Sequence, residues 1–334
     1  MDLLYIRLLF ASLLSFLFTL YLIPIFITIA RTFNIIDYPN STVKKHKEPT
    51  PYLGGAAVYL GFLMTLGLVF PFDNQFFLFL IGSSLLFYVG LIDDLTPLRP
   101  SQKFAGQLIA VLCFLKAGFY LKAHIFSNFW NIPLSALWML TLINAFNLID
   151  IMDGLATTVA LWSSAGFLIM ALAAQQYTVA LLLAAFMGSL IAFLRFNFPP
   201  AQIYLGDAGS LFIGGFLGTI PFLFNWGTFN WYGFLIPIIL LAIPLLEIVG
   251  LILIRTYKKI PFYCASPDHF AIYLKNKGLN ARQILFFVST ASLMLVASSL
   301  LFVQGRIAIH TLLVLGCVFT LSWLHCIFWR TRRV

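Results

Sequence analysis

Five of the acids in this chain sit in four short strings: Asp93-Asp94, Asn144-Ala-Phe-Asn-Leu-Ile-Asp150, Asp153-Gly154 and Gly206-Asp207-Ala-Gly-Ser210. Only 11 of 334 residues are Asp or Glu, and carboxylates among apolar neighbours are costly unless something pairs with them. Adjacent Asp93 and Asp94 point about 100° apart on a helix, so one can meet a cation while the other faces a different ligand. Two like charges this close also favour a shared proton, which suits a proton acceptor. Asn144, Asn147 and Asp150 step by three, which places them on one face of a helix near its end. Gly206 and Gly209 flank Asp207 ahead of an apolar run, so backbone N–H groups at a helix start can face a phosphate while Asp207 holds a cation. No GxxxxGK[ST] string is present, which excludes a nucleotide-hydrolase phosphate loop. Taken singly, each string reads equally well as a solvated helix cap. Their conjunction is what points to a cation and a phosphorylated substrate.

Two basic strings complete the set. Lys44-Lys-His-Lys-Glu-Pro-Thr-Pro-Tyr-Leu-Gly-Gly55 offers Lys44 and Lys47 as an anion-binding edge, stiffened by Pro49 and Pro51. Ser266-Pro-Asp-His-Phe-Ala-Ile-Tyr-Leu-Lys-Asn-Lys-Gly278 offers His269 to a diphosphate or a sugar hydroxyl, with Lys275 and Lys277 adding attraction. Asn197 opens the string that leads to Asp207, and Glu247 follows Ile243-Pro244 inside an apolar run. Glu247 reads either as a packing group or as the lining of a lipid-side groove.

The elements that must position these residues are membrane helices. Hydrophobic residues make up 61% of the chain and charged residues 9%, outside the range of soluble globular domains. Apolar runs fall at about 8–30, 53–70, 76–92, 103–121, 132–149, 155–174, 177–195, 209–225, 232–254, 284–303 and 308–329. They predict an all-α polytopic bundle of about eleven transmembrane helices. Lys and Arg crowd the loops on one side, which predicts an outside N-terminus and a cytoplasmic C-terminus. The whole of 1–334 reads as one transmembrane catalytic domain, with cytoplasmic active-site loops at about 31–52, 93–102, 150–154, 196–208 and 255–283. Cys113, Cys264, Cys317 and Cys326 have no metal-ligand spacing and read as reduced. The net charge of +9 suits anionic lipid and an anionic substrate, and nucleic acid is not an expected partner. A transporter would put its acids near mid-span and repeat its halves. Here the acids, Asp2, Asp73 and Glu247 apart, lie at one face and the halves do not repeat.

The strings, in this order and over nearly all of the chain, resemble the bacterial polyprenyl-phosphate N-acetylhexosamine-1-phosphate transferases of glycosyltransferase family 4, the initiating enzymes of O-antigen, teichoic acid and lipid I synthesis. The resemblance implies a multi-pass protein of the bacterial inner membrane whose site faces the cytoplasm. It implies Mg²⁺, with Mn²⁺ as a substitute, a UDP-sugar donor and an undecaprenyl or similar polyprenyl phosphate acceptor. The expected reaction transfers a sugar 1-phosphate, N-acetylglucosamine 1-phosphate first among candidates, and releases UMP. A homodimer is compatible with it. By position, Asp207 resembles the metal-binding aspartate, and Asp93 and Asp94 the catalytic pair. Asn147, Asp150 and Asp153 resemble the segment that binds nucleotide and supports the metal, with Asp94 and Asp150 as further metal ligands. Asn144 and Asn197 are expected on the substrate side, and Lys44 or Lys47 matches the basic residue of the first loop. One departure stands out: the family's His-x-His-His string is here His269-Phe-Ala-Ile272. Only the first histidine is kept, which leaves a donor-divergent or inactive paralogue as the alternative.

Overall fold

A computed structural model of the protein describes residues 2–37, 49–71, 73–122, 128–229, 231–261 and 267–328. The chain folds as a helical bundle. Its long helices are α1 (Asp2–Thr32), α2 (Gly54–Val69), α3 (Asn74–Leu95), α4 (Pro100–Lys116), α5 (Asn128–Ile149), α6 (Leu155–Ala173), α7 (Tyr177–Asn197) and α8 (Gly206–Thr219). After these come α9 (Ile236–Leu240), α10 (Ala242–Tyr257), the short α11 (Phe270–Asn276), α12 (Ala281–Val303) and α13 (Ile309–Phe328). Two-residue strands β1 (Ile36–Asp37) and β2 (Thr50–Pro51) pair antiparallel, Ile36 opposite Pro51. Lys44 and Lys47 lie outside the described residues.

Each of the eleven apolar runs holds a helix. Among the described residues, seven helices are long and apolar enough to cross a membrane, and an eighth span results if Gly233–Leu240 and Ala242–Tyr257 count as one bent pair. That pair is broken by 69°, between Pro237 and Pro244, residues that remove backbone donors from a helix. The remaining runs hold α2 and α13, which are shorter apolar helices, and α4, whose first turns carry Gln102, Lys103 and Gln107.

The ends of the helices follow local chemistry. Asp73 caps α3 by accepting from the Phe76 N–H at 2.8 Å. At the other end, Thr96-Pro97 stops α3, and Pro100 opens α4 at a position where the missing N–H costs nothing. Asn280 and Gln283 form a reciprocal capping box at the start of α12.

At the centre lies α8, which packs against α2, α3 and α5. Phe212 and Phe216 of α8 meet Phe62 of α2 and Phe186 of α7. The Phe186 and Phe216 rings stack at 3.9 Å, and Phe62 meets Phe216 edge-on at 5.4 Å. Burying the most glycine-rich helix at the core lets its neighbours approach its backbone closely. The polar N-terminus of α8 is thereby surrounded by the ends of α3, α4 and α5.

Candidate active site

The site is built on the first turn of α8. Gly206 holds φ +72°, a left-handed conformation that glycine adopts without penalty. A Cβ there would also stand 2.6 Å from Asp94 Oδ2. Asp94 receives the Asp207 N–H on Oδ1 at 2.8 Å and the Ala208 N–H on Oδ2 at 3.0 Å. Both of its oxygens thus satisfy orphan donors of another helix, where the dipole also favours negative charge. Gly90, one turn earlier on α3, lies against the backbone of Asp207 and Ala208, and no side chain would fit between them.

Asp93 points elsewhere, as the angular spacing of neighbours on a helix requires. Its Oδ1 accepts the Leu98 N–H at 2.6 Å, closing the turn into α4, and its Oδ2 meets Lys103 Nζ at 2.9 Å. Lys103 also donates to Asp207 Oδ2, and to Asn147 Oδ1 at 3.3 Å. Asn147 Nδ2 in turn donates to Asp207 Oδ1 at 2.8 Å and to Ser210 Oγ at 3.0 Å. Oxygens from α3, α5 and α8 therefore converge on one cation from α4. One turn along, Asn144 and Gln107 exchange amide hydrogen bonds of 2.9 and 3.3 Å, so Asn144 braces α5 against α4.

The expected face of Asn144, Asn147 and Asp150 is helical for the two asparagines only. The helix α5 ends at Ile149, so Asp150 opens the connection to α6 rather than closing the helix. Asp150 still belongs to the cluster. Burial, with the carboxylates of Asp207, Asp94 and Asp153, pushes its pKa well above the ordinary carboxylate range. Asp153 accepts the Ala201 N–H at 3.0 Å. Asn197, buried at the end of α7, accepts the Gly154 N–H at 2.8 Å and donates to the Ile203 carbonyl at 2.9 Å. These bonds lock the loop after α5 to the loop before α8. From the other side, Gly54 N–H donates to the Tyr204 carbonyl at 2.9 Å, and Gly55 N–H to that of Leu205 at 2.8 Å. The first basic string therefore ends against Asp207's own loop. A cleft of about 490 Å³ opens here, lined by Phe33, Ile36, Tyr52, Asp94 and Leu95 among others.

The fifth string attaches less directly. His269 Nδ1 lies 2.9 Å from Glu247 Oε1, which also accepts the Phe270 N–H at 3.3 Å. Glu247 is thus a packing group that anchors α11 to the bent span. Lys258 pairs with Asp268 at 2.7 Å, and Arg282 donates to the Pro199 carbonyl at 3.1 Å. Among the described residues, His269 meets Glu247 and none of the clustered aspartates.

Of the sequence-predicted residues, Asp93, Asp94, Asn147, Asp150 and Asp207 come together. Asn144, Asp153 and Asn197 hold that assembly from behind, and His269 stands apart on Glu247. Lys103, Gln107 and Ser210 were not singled out by sequence. The signal for the first two is their i, i+4 spacing at the polar start of α4, which puts two polar groups on one face.

The arrangement suits a hard divalent cation. Three oxygens, from Asp93, Asp207 and Asn147, already surround one positive charge, and no nitrogen or sulfur ligand competes. Among the described residues, no group of three or more His, Cys, Asp or Glu forms a ready metal cage. Magnesium asks for none, since it keeps several waters and completes its shell with substrate phosphate.

Comparison with known proteins places the chain among its relatives. Residues 76–225 match the model of glycosyl transferase family 4. The chain is 32% identical over 240 residues to the undecaprenyl-phosphate alpha-N-acetylglucosaminyl 1-phosphate transferase of Thermotoga maritima, covering 72% of each protein. It is 29% identical over 288 residues to a Bacillus subtilis protein named as a probable undecaprenyl-phosphate N-acetylglucosaminyl 1-phosphate transferase, covering 83% of this chain and 80% of that one. It is 34% identical over 253 residues to a phospho-N-acetylmuramoyl-pentapeptide-transferase of Campylobacter jejuni, covering 63% of this chain and 71% of the relative. With oxygens from three helices gathered at the start of α8, and relatives aligned over most of its length, the chain belongs to glycosyl transferase family 4.

Proposed function

We propose that the chain moves N-acetylglucosamine 1-phosphate from its UDP ester onto undecaprenyl phosphate, releasing UMP and opening the synthesis of a cell-surface polysaccharide. The Thermotoga maritima and Bacillus subtilis relatives are named as undecaprenyl-phosphate N-acetylglucosaminyl 1-phosphate transferases, which supports transfer of a sugar 1-phosphate to a polyprenyl phosphate. The observation that carries the reading is the convergence of Asp93, Asp207 and Asn147 on one cation position at the N-terminus of α8. We place this site at the cytoplasmic face of a bacterial inner membrane, because the loops predicted on its side carry most of the Lys and Arg.

The chemistry is a substitution at phosphorus. An oxygen of the acceptor phosphate bonds to the sugar-linked phosphorus of the donor, and the bond from that phosphorus to the bridging oxygen breaks, leaving UMP. Both substrates are anions, so the site must first bring them together. Asp207 and Asp93, with the Asn147 carbonyl, are the residues that would hold Mg²⁺ or Mn²⁺, and Asp150 adds charge nearby. When bound, the ion neutralises the diphosphate and polarises the reacting phosphorus. Lys103 contributes a mobile positive charge beside the same phosphates. Between the adjacent aspartates, we assign proton acceptance to Asp93. Asp94 is engaged through both oxygens by α8 and fixes where Asp207 stands. The acceptor's tail stays in lipid while the nucleotide arrives from water, which a site at helix ends permits.

The shortened histidine string makes the sugar the open question. Purified protein with Mg²⁺ and undecaprenyl phosphate, offered UDP-N-acetylglucosamine, UDP-N-acetylgalactosamine and a diacetamido-sugar nucleotide, should release UMP fastest with the first. Release with another donor alone would replace the sugar, and release with none would overturn the function.

A further inference from the structure

We propose that Lys103 is a resident counter-ion of the cation position, and that a divalent ion enters by displacing its ammonium from Asp207 and Asp93. The proposal rests on the metal-dependent reading above and adds a competition that reading does not require. An ammonium has three donors, and Lys103 directs them at three oxygens: Asp93 Oδ2 at 2.9 Å, Asp207 Oδ2, and Asn147 Oδ1 at 3.3 Å. The same oxygens are the hard ligands available to a divalent ion at the start of α8. Two cations a few ångströms apart repel strongly in a half-buried site, so ion and ammonium cannot share this nest. The lysine stem is flexible enough to yield, whereas the oxygens are not free to follow. Asn147 is held by Ser210, Asp93 by the Leu98 N–H, and the first turn of α8 by Asp94. The substrate-free protein therefore keeps its carboxylates partly neutralised and binds metal weakly. The affinity rises when an anionic donor gives the displaced ammonium another partner, a coupling that acts equally in both directions.

Manganese titration of the substrate-free protein in detergent, read by the electron paramagnetic resonance of free Mn²⁺, tests this without turnover. Lys103→Met and Lys103→Gln should bind Mn²⁺ about tenfold tighter than wild type or more, and Lys103→Arg should stay near wild type. In chelator the two neutral variants should melt below wild type, and Mg²⁺ should close that gap. A measurement on the unaltered protein guards against variants that do not fold. Acylation of Lys103, followed by peptide mass spectrometry, should rise severalfold when Mn²⁺ is added. Neutral variants that fold but bind Mn²⁺ no tighter, or Mn²⁺ binding that leaves Lys103 acylation unchanged, would overturn the competition. If UMP release still needs Mg²⁺ in that case, the function stands and only this inference fails. Metal-independent release with no Mn²⁺ binding would remove the metal-dependent reading along with this inference.

Discussion

Neighbouring aspartates do different work because the helix turns them apart. Asp93 faces Lys103 and the turn into α4, while Asp94 faces the backbone N–H groups of α8. Their substitutions should therefore separate. Asp93→Asn removes a proton acceptor and one oxygen of the cation position and should lower kcat by about 10²- to 10⁴-fold, with the smaller loss of melting temperature, since it loosens only the Leu98 N–H bond and the half-buried Lys103 pair. Asp94→Asn keeps one acceptor but turns an amide donor toward an N–H. It should cost about 0.5–2 kcal/mol of stability, as loss of a helix cap does, together with activity. Melting curves and initial rates on both variants check this, and equal loss of stability in the two would contradict the division. The aspartates were readable in the sequence because acid is so scarce in it. Lys103 was not, because a lysine at a helix end near a basic loop looks like a topology signal. Only the fold brings it across to Asp207, 104 residues along the chain.

Two helices, α3 and α8, set the distance between the acids, and glycine allows the approach. A methyl group at Gly90 would push into the backbone of Asp207, and one at Gly206 would combine a left-handed φ with a contact to Asp94. Gly90→Ala and Gly206→Ala should each destabilise the protein by about 1–3 kcal/mol and reduce turnover disproportionately, since both separate Asp94 from α8. Gly67→Ala on α2 meets no atom within 4 Å and should leave thermal stability and rate near wild type. Thermal unfolding with UMP release on the three variants makes the comparison, and a tolerant Gly90 would mean that α3 does not set the site. Helix positions followed from apolar runs bounded by proline and polar caps. The end of α5 did not, because the three-residue spacing of Asn144, Asn147 and Asp150 continues past the point where the chain turns at Asp150. Spacing reports which residues can share a helical face. It does not report where tertiary bonds, such as those of Asp153 and Asn197, pull the backbone away.

For the molecule as a whole, an odd number of crossings with the site inside is what the lysine and arginine pattern predicts. With the native cysteines replaced, single cysteines at Lys277 and at Arg306 should label with an impermeant maleimide from opposite sides of the membrane. Lys277 should be protected in intact cells and Arg306 accessible. The reverse pattern would put the site on the wrong face for a cytoplasmic nucleotide. Composition alone made a multi-pass bundle readable, whereas the count of crossings was not, since α2, α4 and α13 are short and the pair of α9 and α10 is bent. The account depends above all on acids from separate helices serving one divalent ion at the start of α8. Its most direct test is UMP release from UDP-N-acetylglucosamine and undecaprenyl phosphate, measured against Mg²⁺ concentration for wild type and Asp207→Asn. Wild type should depend on Mg²⁺ and fall silent in chelator, and the folded variant should release no UMP at any Mg²⁺ concentration. A variant that turns over normally would contradict it.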